Sequence, residues 1–250
     1  RRRFAAGVAA AALAACLVLV VMPALVFRMQ ADYRTTTAEL RSIRLADGST
    51  VRLGADSAIA VTLSNGADGA HGAKGERGVR LLKGEAVFEV TADPDRPFRV
   101  AAGEVETTVV GTAFEVRMNG EAVSVAVREG QVRVDYAAAA PPVSERLSAG
   151  DWVQVGWTGH VERGGVPPGD VAAWLQGQIV ARDRPMAEVV DELRRYYGGM
   201  IVLAGGALGR ERVTGVYNVA DPVAALRAIA GAHGGSVRRI SPWLLVVSGG

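Results

Sequence analysis

Apolar residues at every second position constrain the fold of this 250-residue chain more than any other feature of its sequence. A period of two gives strands with one buried face and one exposed face. Turn-forming pairs such as Asn119-Gly120 separate the alternating runs and favour hairpins. We therefore predict an all-β antiparallel domain of about ten strands over residues 33–163, built as a roll, sandwich or solenoid. The alternating positions include Ile43, Leu45, Val51, Leu53, Ile59, Val61, Phe88, Val90, Val105, Thr107, Phe114, Val116, Val123, Val125, Val132 and Val134.

The pattern changes to strands alternating with helices after the Pro/Gly-rich connector at residues 164–170. A helix is predicted from Pro185 to Tyr197, because its apolar residues follow the i, i+3, i+4, i+7 spacing of one helix face. A second helix is predicted to start at Asp221, which can cap it and is followed by proline. Together with the flanking strands, this order predicts a small α+β domain of βαβ-βαββ type over residues 171–250.

The first 27 residues have the composition of a membrane anchor. Arg1–Arg3 precede an uncharged apolar run over residues 4–27, and about 20 such residues span a bilayer. We predict a single transmembrane helix over 4–27 with residues 1–3 as a cytoplasmic stub, because basic flanks stay inside. The bulk of the chain would then lie in the periplasm, anchored in the inner membrane. A cleaved signal peptide is the alternative, although its apolar core is usually shorter, about 7–15 residues.

The charge distribution argues against nucleic acid as a partner. Four of the 28 Lys and Arg residues lie within residues 1–28, and none of the 26 Asp and Glu residues does. The remainder carries 24 basic and 26 acidic residues, a net charge of −2 with histidine neutral. It has no basic run, so binding to nucleic acid is not expected.

The sequence also lacks the residue patterns of an enzyme or metalloprotein. His71, His160 and His233 are scattered, without an H-E-x-x-H motif or another metal-ligand pair. There is no G-x-S-x-G motif for a nucleophilic serine, and the one cysteine, Cys16, lies in the apolar run. We therefore expect no cofactor, no metal and no enzymatic turnover.

Glycine recurs at every third position over residues 66–78, which is the spacing of collagen. The stretch holds few repeats and no proline, and β-strand patterns flank it on both sides. We interpret it as a solvated hairpin loop rather than a triple helix.

Five segments follow one another in a characteristic order: LADGSTVRLGADSAIAV, RGVRLLKGEAVFEVTADPDRPFRVAAG, VVGTAFEVR, VSVAVREGQVRV and AAWLQGQIVARDRPMAEVVDELRRYY. Together they resemble FecR-type transmembrane anti-sigma regulators, and the resemblance extends from about residue 33 to the end. The C-terminal part also resembles the short signalling domain at the N-termini of secretins and TonB-dependent receptors.

This resemblance implies a role in signal transduction and transcription regulation. The periplasmic part would receive a signal from the signalling domain of a ligand-loaded TonB-dependent receptor, often one for an iron–siderophore complex. Proteolysis would then release an extracytoplasmic-function (ECF) sigma factor, held by residues upstream of this sequence. The alternative is a membrane-anchored envelope scaffold that binds peptidoglycan or a secretin-like assembly through residues 171–250.

The resemblance and the strand pattern also indicate candidate residues for self-cleavage, for packing between the domains and for partner binding. Some similar proteins cut themselves at a Gly-Thr bond, which would be Gly111-Thr112 here; alternatively, Gly111 is a bulge or a close packing point. Trp174 is expected to fill the seam between the two domains. Two strands could accept a partner strand along a free edge, unless both are interior strands. These candidate edge residues are Gln178, Ile179, Val180 and Ala181 in one strand, and Val213, Thr214, Gly215, Val216 and Tyr217 in the other.

Overall fold

The computed structural model describes residues 30–63 and 75–249. These residues form two units, each with its own hydrophobic core. The first unit consists of strands only, and the second combines strands with helices.

Thirteen strands make up the first unit within the described residues. They are β1 (Tyr33–Arg34), β2 (Arg41–Arg44), β3 (Thr50–Leu53), β4 (Ala58–Leu63), β5 (Arg77–Glu89), β6 (Phe98–Ala102), β7 (Val105–Val109), β8 (Ala113–Met118), β9 (Ala122–Glu129), β10 (Gln131–Tyr136), β11 (Val143–Ser148), β12 (Asp151–Gly156) and β13 (Val161–Gly165).

The long strand β5 belongs to two sheets. Its first half pairs with β4 and β6, and its second half pairs with β3 and β8. Gly84 lies between the halves with φ +86°, and a Cβ there would lie 2.7 Å from the Ser57 Cα. Only glycine satisfies both conditions, so this position sets the change of sheet. The first sheet continues through β7, β10 and β11, and the second through β9, β12 and β13.

One core fills the space that the two sheets share. Buried residues alternate with more exposed ones along the strands, as the sequence predicts. In β10, for example, Val132, Val134 and Tyr136 are buried. Phe88 stands at its centre, with its ring 5.2 Å from that of Phe114 and 6.3 Å from that of Phe98. Complete burial of such rings contributes about 1.5–3 kcal/mol each.

The second unit follows two short 3-10 helices, Pro168–Asp170 and Ala173–Gln176. It contains two separate sheets, β14 with β16 and β15-β18-β17, with helices packed between them around one core. Its elements are β14 (Gln178–Pro185), α1 (Met186–Arg194), β15 (Met200–Ala204), α2 (Gly206–Arg210), β16 (Arg212–Asn218), α3 (Pro222–Ala232), β17 (Ser236–Ser241) and β18 (Leu244–Ser248).

The predicted fold class is wrong at its N-terminal end. The longest described helix, α3, has 11 residues, and about 20 apolar residues are needed to cross a bilayer. No helix in the described part of the chain is long and apolar enough to span a membrane. The segment at 4–27, for which a transmembrane helix was predicted, lies outside the described residues.

Two further details of the predicted fold class are corrected. The β domain is not entirely antiparallel, because β5 and β6 run parallel from Arg77↔Phe98 to Leu81↔Ala102. The α+β unit keeps the predicted order but adds the short helix α2, whose glycine-rich sequence hides a helical pattern. The glycine-rich stretch lies mostly outside the described residues, although Gly78 already belongs to β5 and pairs with Thr62 of β4.

Candidate functional site

A cluster of charged side chains lies where the two units meet. At its centre is Arg117 on β8, which contacts carboxylates of both units. Its Nε lies 3.1 Å from Glu85 Oε2, and its Nη2 lies 3.1 Å from Glu115 Oε1, both in the first unit. Its Nη1 donates to Glu192 Oε1 on α1 of the second unit. One guanidinium therefore joins the two units through three buried carboxylates.

Two more arginines complete this group. Arg184 on β14 places its Nη2 2.7 Å from Glu192 Oε1 and 3.3 Å from Glu188 Oε2. Arg195, at the end of α1, reaches into the first unit, where its Nη1 lies 3.1 Å from Glu85 Oε2. We call this group the Arg117 cluster; it consists of Glu85, Glu115, Arg117, Arg184, Glu188, Glu192 and Arg195.

Helix α1 brings its half of the Arg117 cluster to the junction through its sequence periodicity. One face of the helix is apolar and packs into the core of the second unit with Met186, Val189, Val190 and Leu193. A different face carries Glu188, Glu192 and Arg195 at positions i, i+4 and i+7, which lie in line on a helix. This charged face meets β8 of the first unit.

Burial and charge act in opposite directions on the pKa values of the Arg117 cluster. Burial raises the pKa of Glu85, and Arg195 and Arg117 offset only part of this effect. Burial also raises the pKa of Glu192, but Arg117 and Arg184 outweigh it and lower the value to about 2. Burial lowers the pKa of Arg117, but the surrounding carboxylates raise it well above its ordinary value. The two carboxylates differ in their charged neighbours. Three arginines and a hydrogen bond from Arg184 act on Glu192. Two arginines act on Glu85, and the carboxylates of Glu115 and Glu192 raise its pKa further.

Trp174 completes the junction from the second 3-10 helix. Its indole Nε1 donates to Glu115 Oε1 at 2.6 Å, so it orients a carboxylate of the Arg117 cluster. Its buried ring belongs to a small apolar group with Val87, Val171 and Ala172. The packing role predicted for Trp174 is seen against the first unit and the connector, and its filling of the seam stays a prediction.

An open cleft of about 540 Å³ lies beside the Arg117 cluster, between the two units. Trp152 and Gln154 of β12 line one wall, and Val180 and Arg182 of β14 line the other. In residues 30–63 and 75–249, no group of three His, Cys, Asp or Glu side chains could hold a metal ion. The expected lack of a cofactor stays a prediction.

The candidate bond Gly111-Thr112 lies in the bend between β7 and β8. A Cβ at Gly111 would lie 2.6 Å from the Ala92 Cβ, so close packing accounts for the glycine. The Thr112 carbonyl accepts a hydrogen bond from the Val90 N–H at 2.9 Å. The Thr112 hydroxyl is buried and has no hydrogen-bond partner among the described residues, which packing does not explain. Self-cleavage stays a prediction.

The two strands predicted to offer free edges pair with each other. In β14 and β16 the register runs from Gln178↔Asn218 to Pro185↔Arg212, and each strand has one strand partner in the described structure. Ile179 and Ala181 are buried in the core, whereas Val216 is 61% exposed. Binding of a partner at these residues stays a prediction.

Sequence reasoning missed the Arg117 cluster. Glu115 and Arg117 alternate with the apolar residues of β8, so they belong to the face that the strand pattern assigns to solvent. The one available signal was the charged i, i+4, i+7 line on α1. It does not identify the surface that this helix face meets.

Comparison with known proteins places the first unit in a family. Residues 31–133 match the family model described as FecR protein. The chain therefore contains a FecR domain. The family resemblance seen in the sequence is confirmed. A comparison with curated protein sequences gave no match.

Solved structures extend the likeness beyond the FecR domain. Two crystal structures, at 2.50 Å and 1.65 Å, are of a "putative anti-sigma factor" from Parabacteroides distasonis. Each is 26% identical to this chain with a TM-score of 0.76, and the match covers 87% of this chain and 98% of the other. This coverage exceeds residues 31–133, so it includes much of the α+β unit.

Proposed function

We propose that this chain is an anti-sigma regulator that relays a signal from a TonB-dependent outer-membrane receptor to an ECF sigma factor. The FecR domain and the likeness to the Parabacteroides distasonis protein support an anti-sigma role. A role of that kind implies a sigma factor as partner. In this proposal residues 30–249 lie in the periplasm, where the receptor can reach them.

The observation that carries the proposal is the buried connection between the two units. Arg117 of the FecR domain contacts Glu192 of the α+β unit, and Arg195 of that unit contacts Glu85 of the FecR domain. Separating the units would break these contacts and expose the charges of both partners to water. A partner that binds the α+β unit therefore acts on the FecR domain as well, as a relay requires.

The α+β unit is the signal-receiving part in this proposal. Its sequence resembles the short signalling domain of secretins and TonB-dependent receptors, and the Arg117 cluster lies on its side towards the FecR domain. Its two sheets leave strand edges and apolar side chains available to a partner.

If the relay ends in proteolysis, the bond that is cleaved in this proposal is Gly111-Thr112. The Thr112 hydroxyl, which is buried without a partner among residues 30–63 and 75–249, supports this step, because such a group lowers stability and a catalytic role would account for it. Thr112 Oγ would attack the Gly111 carbonyl carbon, and the C–N bond would break as the acyl group moves from nitrogen to oxygen. The proton from the hydroxyl would pass to the freed amine, and water would hydrolyse the ester, leaving a fragment that begins at Thr112.

The relay is tested with purified signalling domains from the TonB-dependent receptors of the same host. We expect one of these signalling domains to bind the chain. Deleting that signalling domain from its receptor in the host should abolish the response of sigma-dependent promoters to the receptor ligand. Binding only to peptidoglycan or to secretion proteins would contradict the relay and favour a scaffold.

Self-cleavage is tested by intact mass and by blotting a C-terminal tag. We expect a fragment beginning at residue 112 in the wild type and in Thr112→Ser, but not in Thr112→Ala. Thr107→Ala, which changes a buried threonine on the adjoining strand β7, serves as the matched control. Full-length protein alone in the wild type would rule out cleavage without affecting the relay.

A further inference from the structure

The sheet β15-β18-β17 has an apolar face that no other element covers within the described residues. Residues paired across neighbouring strands lie on the same face of a sheet. The pairs Met200↔Leu244 and Val202↔Val246 therefore share one face, and Arg238↔Val246 adds an arginine to it. The opposite face carries the core residues Ile201, Leu245 and Val247. We call the first of these the outer face; it consists of Met200, Val202, Leu244, Val246 and Arg238.

Leu244 and Val246 of the outer face are half-buried, whereas other apolar side chains on and beside it are exposed. Met200 is 64% exposed, and Trp243, in the turn before β18, is 71% exposed. The Met200 N–H donates to the Trp243 carbonyl at 2.7 Å, so the two residues are held side by side. Ile240, at the irregularity in β17, is 62% exposed. Contiguous exposed apolar groups of this kind mark interaction surfaces, and tryptophan and arginine dominate binding energy at such surfaces.

The charge on this surface specifies its partner. Arg238 is exposed, and no described carboxylate forms an ion pair with it. The outer face itself contains no acidic residue. A second copy docked through the same face would bring unpaired arginines together, which is unfavourable, whereas an acidic surface would satisfy them.

We propose that the outer face binds a partner protein through a surface that combines apolar side chains with carboxylates. Trp243 and Met200 would enter its apolar part, and Arg238 would pair with a carboxylate at the border. The identity of this partner as the receptor signalling domain rests on the proposed function. The surface itself, and the chemistry that it selects, do not depend on that function.

Site-specific photo-crosslinking of the full chain in its own host tests the proposal. The crosslinking residue benzoylphenylalanine replaces Trp243 in one variant and Val216 in the control. Val216 is 61% exposed but lies on β16, in the other sheet and on one of the strands predicted from sequence to bind. Both positions are exposed, so neither replacement should disturb folding, which thermal unfolding verifies.

Charge reversal makes the test specific for the proposed chemistry. Arg238→Glu is combined with the crosslinker at 243, and Arg227→Glu is the matched control because it makes the same charge change on an exposed position of α3. We expect a crosslinked partner from position 243, at least fivefold less of it with Arg238→Glu, and no change with Arg227→Glu. Peptide mapping should place the crosslink beside an aspartate or glutamate of the partner.

The outcomes separate this proposal from the proposed function. No crosslink from 243, capture from 216 instead, equal yield with Arg238→Glu, or capture of a second copy of this chain would each overturn the outer face as the docking site. A receptor signalling domain captured only from 216 would support the relay and refute the outer face. If position 243 captures a charge-dependent partner that is not a receptor domain, the outer face would be supported as a docking site and the relay would be refuted.

Discussion

The replacement Glu192→Gln tests how strongly the Arg117 cluster holds the two units together. Glutamine keeps the shape of the side chain and removes only its charge. Arg117 and Arg184 lower the pKa of Glu192 from about 4.5 to about 2. Each pKa unit corresponds to about 1.4 kcal/mol, so the shift corresponds to about 3 kcal/mol of stability at neutral pH. The cost of breaking a buried ion pair, about 3–5 kcal/mol, leads to a similar figure. We therefore expect Glu192→Gln to reduce the free energy of unfolding by about 3 kcal/mol at pH 7.

The same reasoning fixes the direction of the pH dependence. Because the pKa of Glu192 is lower in the folded protein, the unfolded chain binds more protons between about pH 4.5 and pH 2. The stabilisation is complete above pH 4.5 and is lost as the pH falls towards 2. Glutamine does not titrate, so the difference between wild type and variant should shrink over this range. The raised pKa of Glu85 has the opposite effect on stability, and because the charge of Glu192 contributes to that rise, Glu192→Gln should also lower the pKa of Glu85.

Urea unfolding, followed by far-UV circular dichroism and tryptophan fluorescence at pH 7, 5, 4 and 3.5, measures this difference. Glu188→Gln is the matched control, one turn earlier on the same helix. Among the described residues, Glu188 forms an ion pair with Arg184 alone, at 3.3 Å, and its side chain is 25% exposed, so we expect a loss below about 1 kcal/mol. A loss below 1 kcal/mol for Glu192→Gln at pH 7, or a loss that is constant with pH, would refute the reasoning.

Three further substitutions test other parts of the fold by thermal or urea unfolding. Trp174→Phe removes the hydrogen bond to Glu115 and should cost about 1.5–3 kcal/mol, the range for bonds to charged groups; an unchanged midpoint would mean that this bond contributes nothing. Asp221→Ala removes the N-cap of α3 and should cost about 1 kcal/mol, with Asp221→Asn as the control that preserves the cap. Gly84→Ala places a Cβ against backbone at positive φ and should cost about 1–3 kcal/mol or more; a neutral effect would contradict the assigned bend in β5.

Local sequence determined the elements of both units. Alternation identified the buried positions of strands such as β10, because one side of a sheet that packs on a core must be apolar. The helical stripe and the Asp221 cap identified α1 and α3 for the same local reasons. The short helix α2 was missed because its sequence, GALGR, carries two glycines and too few residues to show a period.

The sequence could not determine which surfaces meet, because that depends on residues far apart in the chain. Arg117 and Glu192 are separated by 75 positions, and each lies on a face that its own strand or helix would present to water. The parallel pairing of β5 with β6 likewise depends on how the chain crosses between sheets, and not on either strand alone.

By itself, the sequence determined the strands, the two long helices and the family resemblance, since these rest on periodicity and on ordered local segments. Only the tertiary structure decided that the outward charges of β8 and α1 form one buried cluster, and that no other described element covers the apolar outer face of β15 and β18. The physical reason is the same in both cases. A polar or apolar pattern states which environment a face prefers, but burial is decided by what the rest of the chain places against it.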